Sequence, residues 1–176
     1  FDLRLGIGRG ELPELARMAF DAASRSETDT AMRKALAGAL EAANGLPEAA
    51  DLIRRREDPH FQVVAAYLLD RVKPDIVVAN FAWTAGLLRM LPASVCKILD
   101  THDIQHLRSE AHTLVGGEAV RADKAVEIEA WGAADYVVAI QAAEKDLIIK
   151  TSGRNNVILA GHAARPLAAA RKGEPG

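Results

Sequence analysis

Four short apolar runs rich in β-branched residues recur through the second half of the chain. They are Ile76-Val77-Val78-Ala79, the stretch from Val95 to Leu99, Tyr136-Val137-Val138-Ala139-Ile140, and Asn156-Val157-Ile158-Leu159-Ala160. Each is short and bounded by turn or polar residues, and so reads as a buried parallel strand. Helical patterns separate them. Strand–helix alternation of this kind gives a parallel sheet with helices on both faces. The expected fold class is therefore α/β: a Rossmann-like three-layer sandwich with a mainly parallel sheet and a helix-rich first half.

That first half reads as four helices. Leu12, Leu15, Ala16, Ala19 and Phe20 recur at helical spacing within residues 11–25, with Pro13 in the tolerant first turn. Met32, Leu36, Ala39 and Leu40 form the stripe of a helix over 30–44, which Asn44-Gly45 stops. A third runs over 47–56 and ends in Arg54-Arg55-Arg56, a solvated face or a charge at a helix C-terminus, with an anion site as the minor alternative. Asp58-Pro59 opens a fourth, which buries Phe61, Val64, Ala65, Leu68 and Leu69 and runs to Val72. Downstream, a brief helix is expected over 84–91, a long one over 105–134 with a break at Gly116-Gly117, and another starting at residues 141–144. Gly6-Ile7-Gly8-Arg9-Gly10 reads as a turn, with a phosphate-binding loop as the minor alternative; its spacing is neither Gly-x-Gly-x-x-Gly nor that of a P-loop.

The best candidate site is Asp100-Thr101-His102-Asp103, which follows the second strand. Ligands bind in the crevice outside the carboxyl ends of strands in open α/β sheets. Ionisable groups at such an end need partners or a purpose. The competing structural reading is a helix-capping loop, with Thr101 or Asp103 receiving backbone N–H groups.

Composition narrows the classes. The 176 residues suffice for one domain with a sizeable core. A net charge of −2 lacks the basic face of a dedicated nucleic-acid binder. The lone Cys96 cannot form an internal disulfide, and beside an apolar run it reads as a structural thiol. No apolar run is long enough to span a bilayer, and the first residues do not read as a signal peptide.

Taken together, four segments resemble the amino-terminal domain of a GT-B fold glycosyltransferase, of the glycosyltransferase family 4 kind. They are Lys73-Pro74-Asp75-Ile76-Val77-Val78-Ala79-Asn80, then Lys97-Ile98-Leu99-Asp100-Thr101-His102-Asp103, then Glu129 with the run from Ala134 to Glu144, and finally Val157-Ile158-Leu159-Ala160-Gly161-His162. The resemblance covers roughly residues 73–166. It implies a domain over 1–162, incomplete at its start, and a linker over 163–176 towards a carboxyl-terminal domain outside this chain, which would hold most nucleotide-sugar contacts. The poor match of residues 6–10 to the family's opening Gly-containing loop is a departure. The half-enzyme is expected to be poorly active alone.

The implied activity is sugar transfer from a nucleotide-sugar donor, which is a substrate, to a glycan, lipid or small-molecule acceptor, as in polysaccharide biosynthesis. No cofactor and no metal is implied. The implied setting is cytoplasmic, peripheral to the inner membrane face where the acceptor is a lipid. Such a transfer builds positive charge on the sugar and negative charge on the departing phosphate, so the enzyme must position two substrates and stabilise both charges. His102 and Asp103 are the candidate catalytic residues: the imidazole can hydrogen-bond a sugar hydroxyl, and the carboxylate can orient it or bind the acceptor. Asn80, Trp83, Asp100, Thr101, Arg108, Gln141 and Glu144 are the candidate substrate-binding residues. Four of these also have a plain structural reading: packing for Trp83, an ion pair between Asp100 and Arg108, and a helix first turn for Glu144; His162 reads as an exposed turn. Glu110 reads as a solvated helix face. A metal site from His102, Asp103, His106 and His112 is a weaker idea, because the His-Glu-x-x-His pattern is absent. Two other readings compete: a non-catalytic Rossmann-like protein-interaction domain, and another GT-B enzyme such as a sugar-nucleotide epimerase.

Overall fold

The structure is a computed structural model that describes residues 12–25, 34, 37, 38, 41, 51–116 and 121–161. The turn expected over 6–10, most of the helix expected over 30–44, residues 47–50, His162 and the linker expected over 163–176 lie outside the described residues. The described chain runs α1 (Leu12–Arg25), α2 (Leu52–Arg56), α3 (Pro59–Val72), β1 (Ile76–Asn80), a 3-10 turn (Ala82–Thr84), α4 (Ala85–Met90), β2 (Cys96–Asp100), α5 (Gln105–Leu114), α6 (Lys124–Gly132), β3 (Tyr136–Ala139), α7 (Ala142–Ser152) and β4 (Val157–Leu159).

Local chemistry sets most of these ends. Asp58 caps α3, its carboxylate accepting from the backbone N–H groups of His60 at 2.9 Å and Phe61 at 3.2 Å, with Pro59 in the first turn. The helix stops where Lys73 turns left-handed (φ 49°) just before Pro74. Replacing Asp58 with Ala should cost about 1 kcal/mol in a urea titration, the usual worth of such a cap. The expected helix over 105–134 is two helices, α5 and α6, the second capped by Asp123. The expected helix over 84–91 opens as a 3-10 turn at Ala82.

The four strands form one parallel sheet in the order β1-β2-β3-β4. The expected α/β, Rossmann-like class with a parallel sheet is what the chain adopts. Each crossover steps to the next strand in the same direction, and crossovers are right-handed, so the linking helices fall on one face. Val77, Ala79, Leu99, Val137, Ala139 and Val157 point to that face. There they form one core with Leu88 of α4, Trp131 of α6 and Ile148 of α7. Burying a Val or Leu fully contributes about 1.5–3 kcal/mol, so this face holds most of the sheet's packing energy. A second core joins α1 to α3 through Ala16, Ala19 and the run Val63 to Ala66. Gly86 lets α4 approach the corner between α2 and α3: a Cβ there would run into the Glu57–Gln62 hydrogen bond.

The other face is apolar and open. Ile76, Val78, Tyr136 and Ile158 are 58, 54, 43 and 42% exposed on it. Of the two helical layers of a three-layer sandwich, the described residues supply one.

Candidate functional site

The register places Asn80 beside Asp100 and Asp100 beside Val138. The carboxyl ends of β1, β2 and β3 therefore finish together, and the polar residues after them form one cluster.

His102 is at its centre. Its backbone is left-handed (φ 55°), held by an N–H···Oδ1 hydrogen bond to Asp100 at 3.2 Å. Its Nε2 lies 3.0 Å from Asn80 Oδ1 and 3.5 Å from Asp100 Oδ2. Two oxygen acceptors at one nitrogen favour the tautomer with the proton on Nε2. A side chain so held presents its ring in one orientation at the strand ends.

A second residue here has unusual backbone. Phe81 follows β1 directly with φ 70° and ψ 149°, a region left almost entirely to glycine. Such a conformation costs about 1–3 kcal/mol and persists only where its surroundings over-determine it. They do so here. The Phe81 N–H donates to Asp100 O at 2.7 Å, and the Thr84 hydroxyl is shared between Asn80 O and Phe81 O, 2.8 Å from each. The phenyl ring stacks on the His102 imidazole and on the Trp83 indole, with centroids 4.5 Å apart in both cases. The Arg56 guanidinium lies over Trp83 at 4.7 Å.

The remaining candidates divide. Asp103 is ion-paired to Arg108 at 2.9 Å, so the pairing expected between Asp100 and Arg108 is made by Asp103 instead. Asp103 does not cap α5 either; Ile104 holds the cap position, with no side-chain bond. Thr101 is buried, and both its N–H and its hydroxyl donate to Val138 O, so it extends the β2–β3 pairing rather than facing a cleft. Trp83 has its ring in the Phe81 stack and under Arg56, where the sequence suggested a platform for a sugar. Gln141 is exposed at the start of α7. Glu144 reaches back to accept from the Ile140 N–H at 3.3 Å. Burial pushes its carboxyl above the ordinary range, the Ile140 N–H offsets this in part, and the Asp103 carboxylate adds to the rise.

The sign of that shift makes a prediction. A raised carboxyl pKa means that the folded state holds a proton the unfolded chain has released. Stability is therefore lost as pH rises from the ordinary Glu value through the folded one. Glu144→Gln keeps an acceptor for Ile140 and removes the charge. Its melting temperature relative to wild type should be higher at pH 7 than at pH 4; an equal difference at both would refute the shift.

The weaker metal idea does not survive the geometry. His106 turns inward, away from a set with His102, and its Nδ1 meets Glu127 Oε2 at 2.7 Å. His112 is exposed on α5, and among the described residues no three His, Cys, Asp or Glu side chains are grouped to hold an ion. Glu127 also accepts from the backbone N–H groups of Gln105 at 2.7 Å and His106 at 2.9 Å, so it caps α5 from another helix. Of the arginine run, Arg54 pairs with Glu57 and Glu129 while Arg56 covers Trp83. Phe81, Arg56 and Glu127 are thus the residues that local reading missed. The sole sequence signal was the place of Phe81 just after a strand.

An open cavity of about 360 Å3 lies at the opposite, amino-terminal ends of β1 and β2, lined by residues including Asp70, Lys73, Asp75 and Ser94. It lacks the paired side chains found at the carboxyl ends, and strand carboxyl ends are where ligands bind in such sheets, so the candidate site is the His102 cluster. No helix of the described residues is long and apolar enough to cross a membrane. No family model, curated protein or solved structure matches the chain, so the geometry of this cluster stands by itself.

Proposed function

We propose that this domain is the acceptor side of a glycosyltransferase that moves a sugar from a nucleotide-sugar donor to a glycan, lipid or small-molecule acceptor. One observation carries the reading: an imidazole at a strand end, with Asn80 and Asp100 sharing its Nε2. Transfer needs the acceptor hydroxyl polarised and its proton received as the glycosidic bond to the nucleotide breaks. His102 receives that proton, and Asp100 beside the ring offsets the charge it gains; Asp103 and Arg108, paired nearby, bind acceptor hydroxyls. Gln141 and Glu144, at the end of β3, line the same crevice. A second Rossmann domain would bring the donor. The setting is the cytoplasm, at the inner membrane face where the acceptor is a lipid.

The test is an assay of the complete gene product against a panel of nucleotide sugars, following nucleoside diphosphate release with and without acceptor glycans. Acceptor-dependent release supports the reading; none across the panel refutes it. The open apolar face at Ile76, Val78, Tyr136 and Ile158 favours a second reading, a non-catalytic protein-interaction domain. That reading is favoured if the panel is silent and substitution of Val78 by Asp abolishes association with a partner protein.

A further inference from the structure

Three non-glycine residues among those described have positive φ: Lys73, Phe81 and His102. Lys73 has an ordinary reason, the end of a helix. The other two lie at the ends of neighbouring strands, and their rings touch. Two costly backbone conformations that bring one pair of rings into contact are a device rather than a coincidence.

We propose that Phe81 is a positioning residue for His102. The phenyl ring sets the plane of the imidazole, which lies 25° from parallel at a centroid distance of 4.5 Å. The Asn80 side chain then sets the direction of Nε2 within that plane. A stacked face and an in-plane hydrogen bond together fix both orientations of a ring that has two side-chain torsions. The Trp83 indole, within 10° of parallel to Phe81, backs the phenyl ring, and Arg56 covers Trp83. The stack therefore runs Arg56, Trp83, Phe81, His102, from the short helix α2 to the site. The local backbone holds its root: the Thr84 hydroxyl clamps the carbonyls of the two peptides that flank the Phe81 Cα, and the Phe81 N–H is tied to β2. None of this requires Phe81 to meet substrate. Its effect on transfer acts through His102 and rests on the reading of function above.

The experiment separates the two claims. The imidazole carbon–proton signals of His102 are followed by two-dimensional NMR in wild type, Phe81→Leu, Phe81→Tyr and Trp83→Leu, with a melting curve for each. A stacked phenyl shields the imidazole protons, so Phe81→Leu should move them downfield, Phe81→Tyr should leave them in place, and Trp83→Leu should give a smaller shift. The same variants of the complete gene product are then assayed at saturating substrate. Phe81→Leu should lower kcat by on the order of 10- to 100-fold, the cost of misplacing a reacting group by a fraction of a bond length to an ångström. Phe81→Tyr should restore it. His102 signals that stay put in Phe81→Leu overturn the proposal, and so does a full kcat in that variant where wild type is active. Shifted signals in a protein that transfers no sugar uphold the positioning of His102 by Phe81 and refute the glycosyltransferase reading instead. If Phe81→Leu does not fold, Trp83→Leu decides: shifted His102 signals support the stack, and unchanged ones overturn it.

Discussion

Glu127→Ala should unfold this protein at much lower denaturant than any surface change. Glu127 is fully buried on α6, and one carboxylate serves three donors: the backbone N–H groups of Gln105 and His106 and the His106 ring. The two N–H groups belong to the first turn of α5, where no intrahelical acceptor exists. Ile104, the residue at the cap position, has no side-chain oxygen to help, and Gln105 and His106 are themselves buried. Water is not at hand to replace the lost acceptor. Each buried donor left unpaired costs about 1–3 kcal/mol, and the removed side chain leaves a cavity. Several such losses together are a large part of a domain's total stability. Glu127→Gln keeps one acceptor oxygen but turns an amide donor towards other donors, so it should recover only part of the loss. A urea titration of both variants checks this. A cost near that of Asp58→Ala would mean that α5 does not depend on its distant cap.

On the proposed glycosyltransferase reading, His102→Asn should remove sugar transfer while sparing the fold. Asparagine is chosen because it tolerates the left-handed backbone that His102 adopts, whereas alanine would add strain to the loss of the ring. General acid–base participation is worth about 10²–10⁴-fold in rate, so kcat should fall by that order. The melting temperature should move little, since the Asp100 hydrogen bond to the backbone N–H at residue 102 persists. A variant that keeps wild-type kcat would remove His102 from the mechanism and with it the proposed role of the strand-end cluster. A variant that loses activity only because it has unfolded would show in the melting curve.

These two residues show the range over which local reading works. The four strands were legible because a buried parallel strand writes a run of β-branched residues into the chain. Their parallel pairing followed from the helices between them. Asp58-Pro59 announced its helix through a cap that acts over two or three residues. The Asp100-to-Asp103 loop stood out because polar groups so close to an apolar strand need a reason. In each case the deciding interaction spans a few residues, and pattern alone carries it.

Only the tertiary structure decided how those groups are used. The sequence offers Asp103 as a cap for α5, but the acceptor for that helix is Glu127, more than twenty residues later. Thr101 looked as available as His102, yet the sheet claims its hydroxyl through Val138. Asn80 reaches His102 because β1 and β2 are in register, and Phe81 reaches it through a backbone conformation that its residue type disfavours. Neither is written in local periodicity. Contacts across strands depend on register, and a strained φ depends on the bonds that hold it. The chain's pattern thus settles which elements form, because that energy is local and apolar. The packed sheet settles which polar groups meet, because a hydrogen bond forms only where two distant strands bring its partners within about 3 Å.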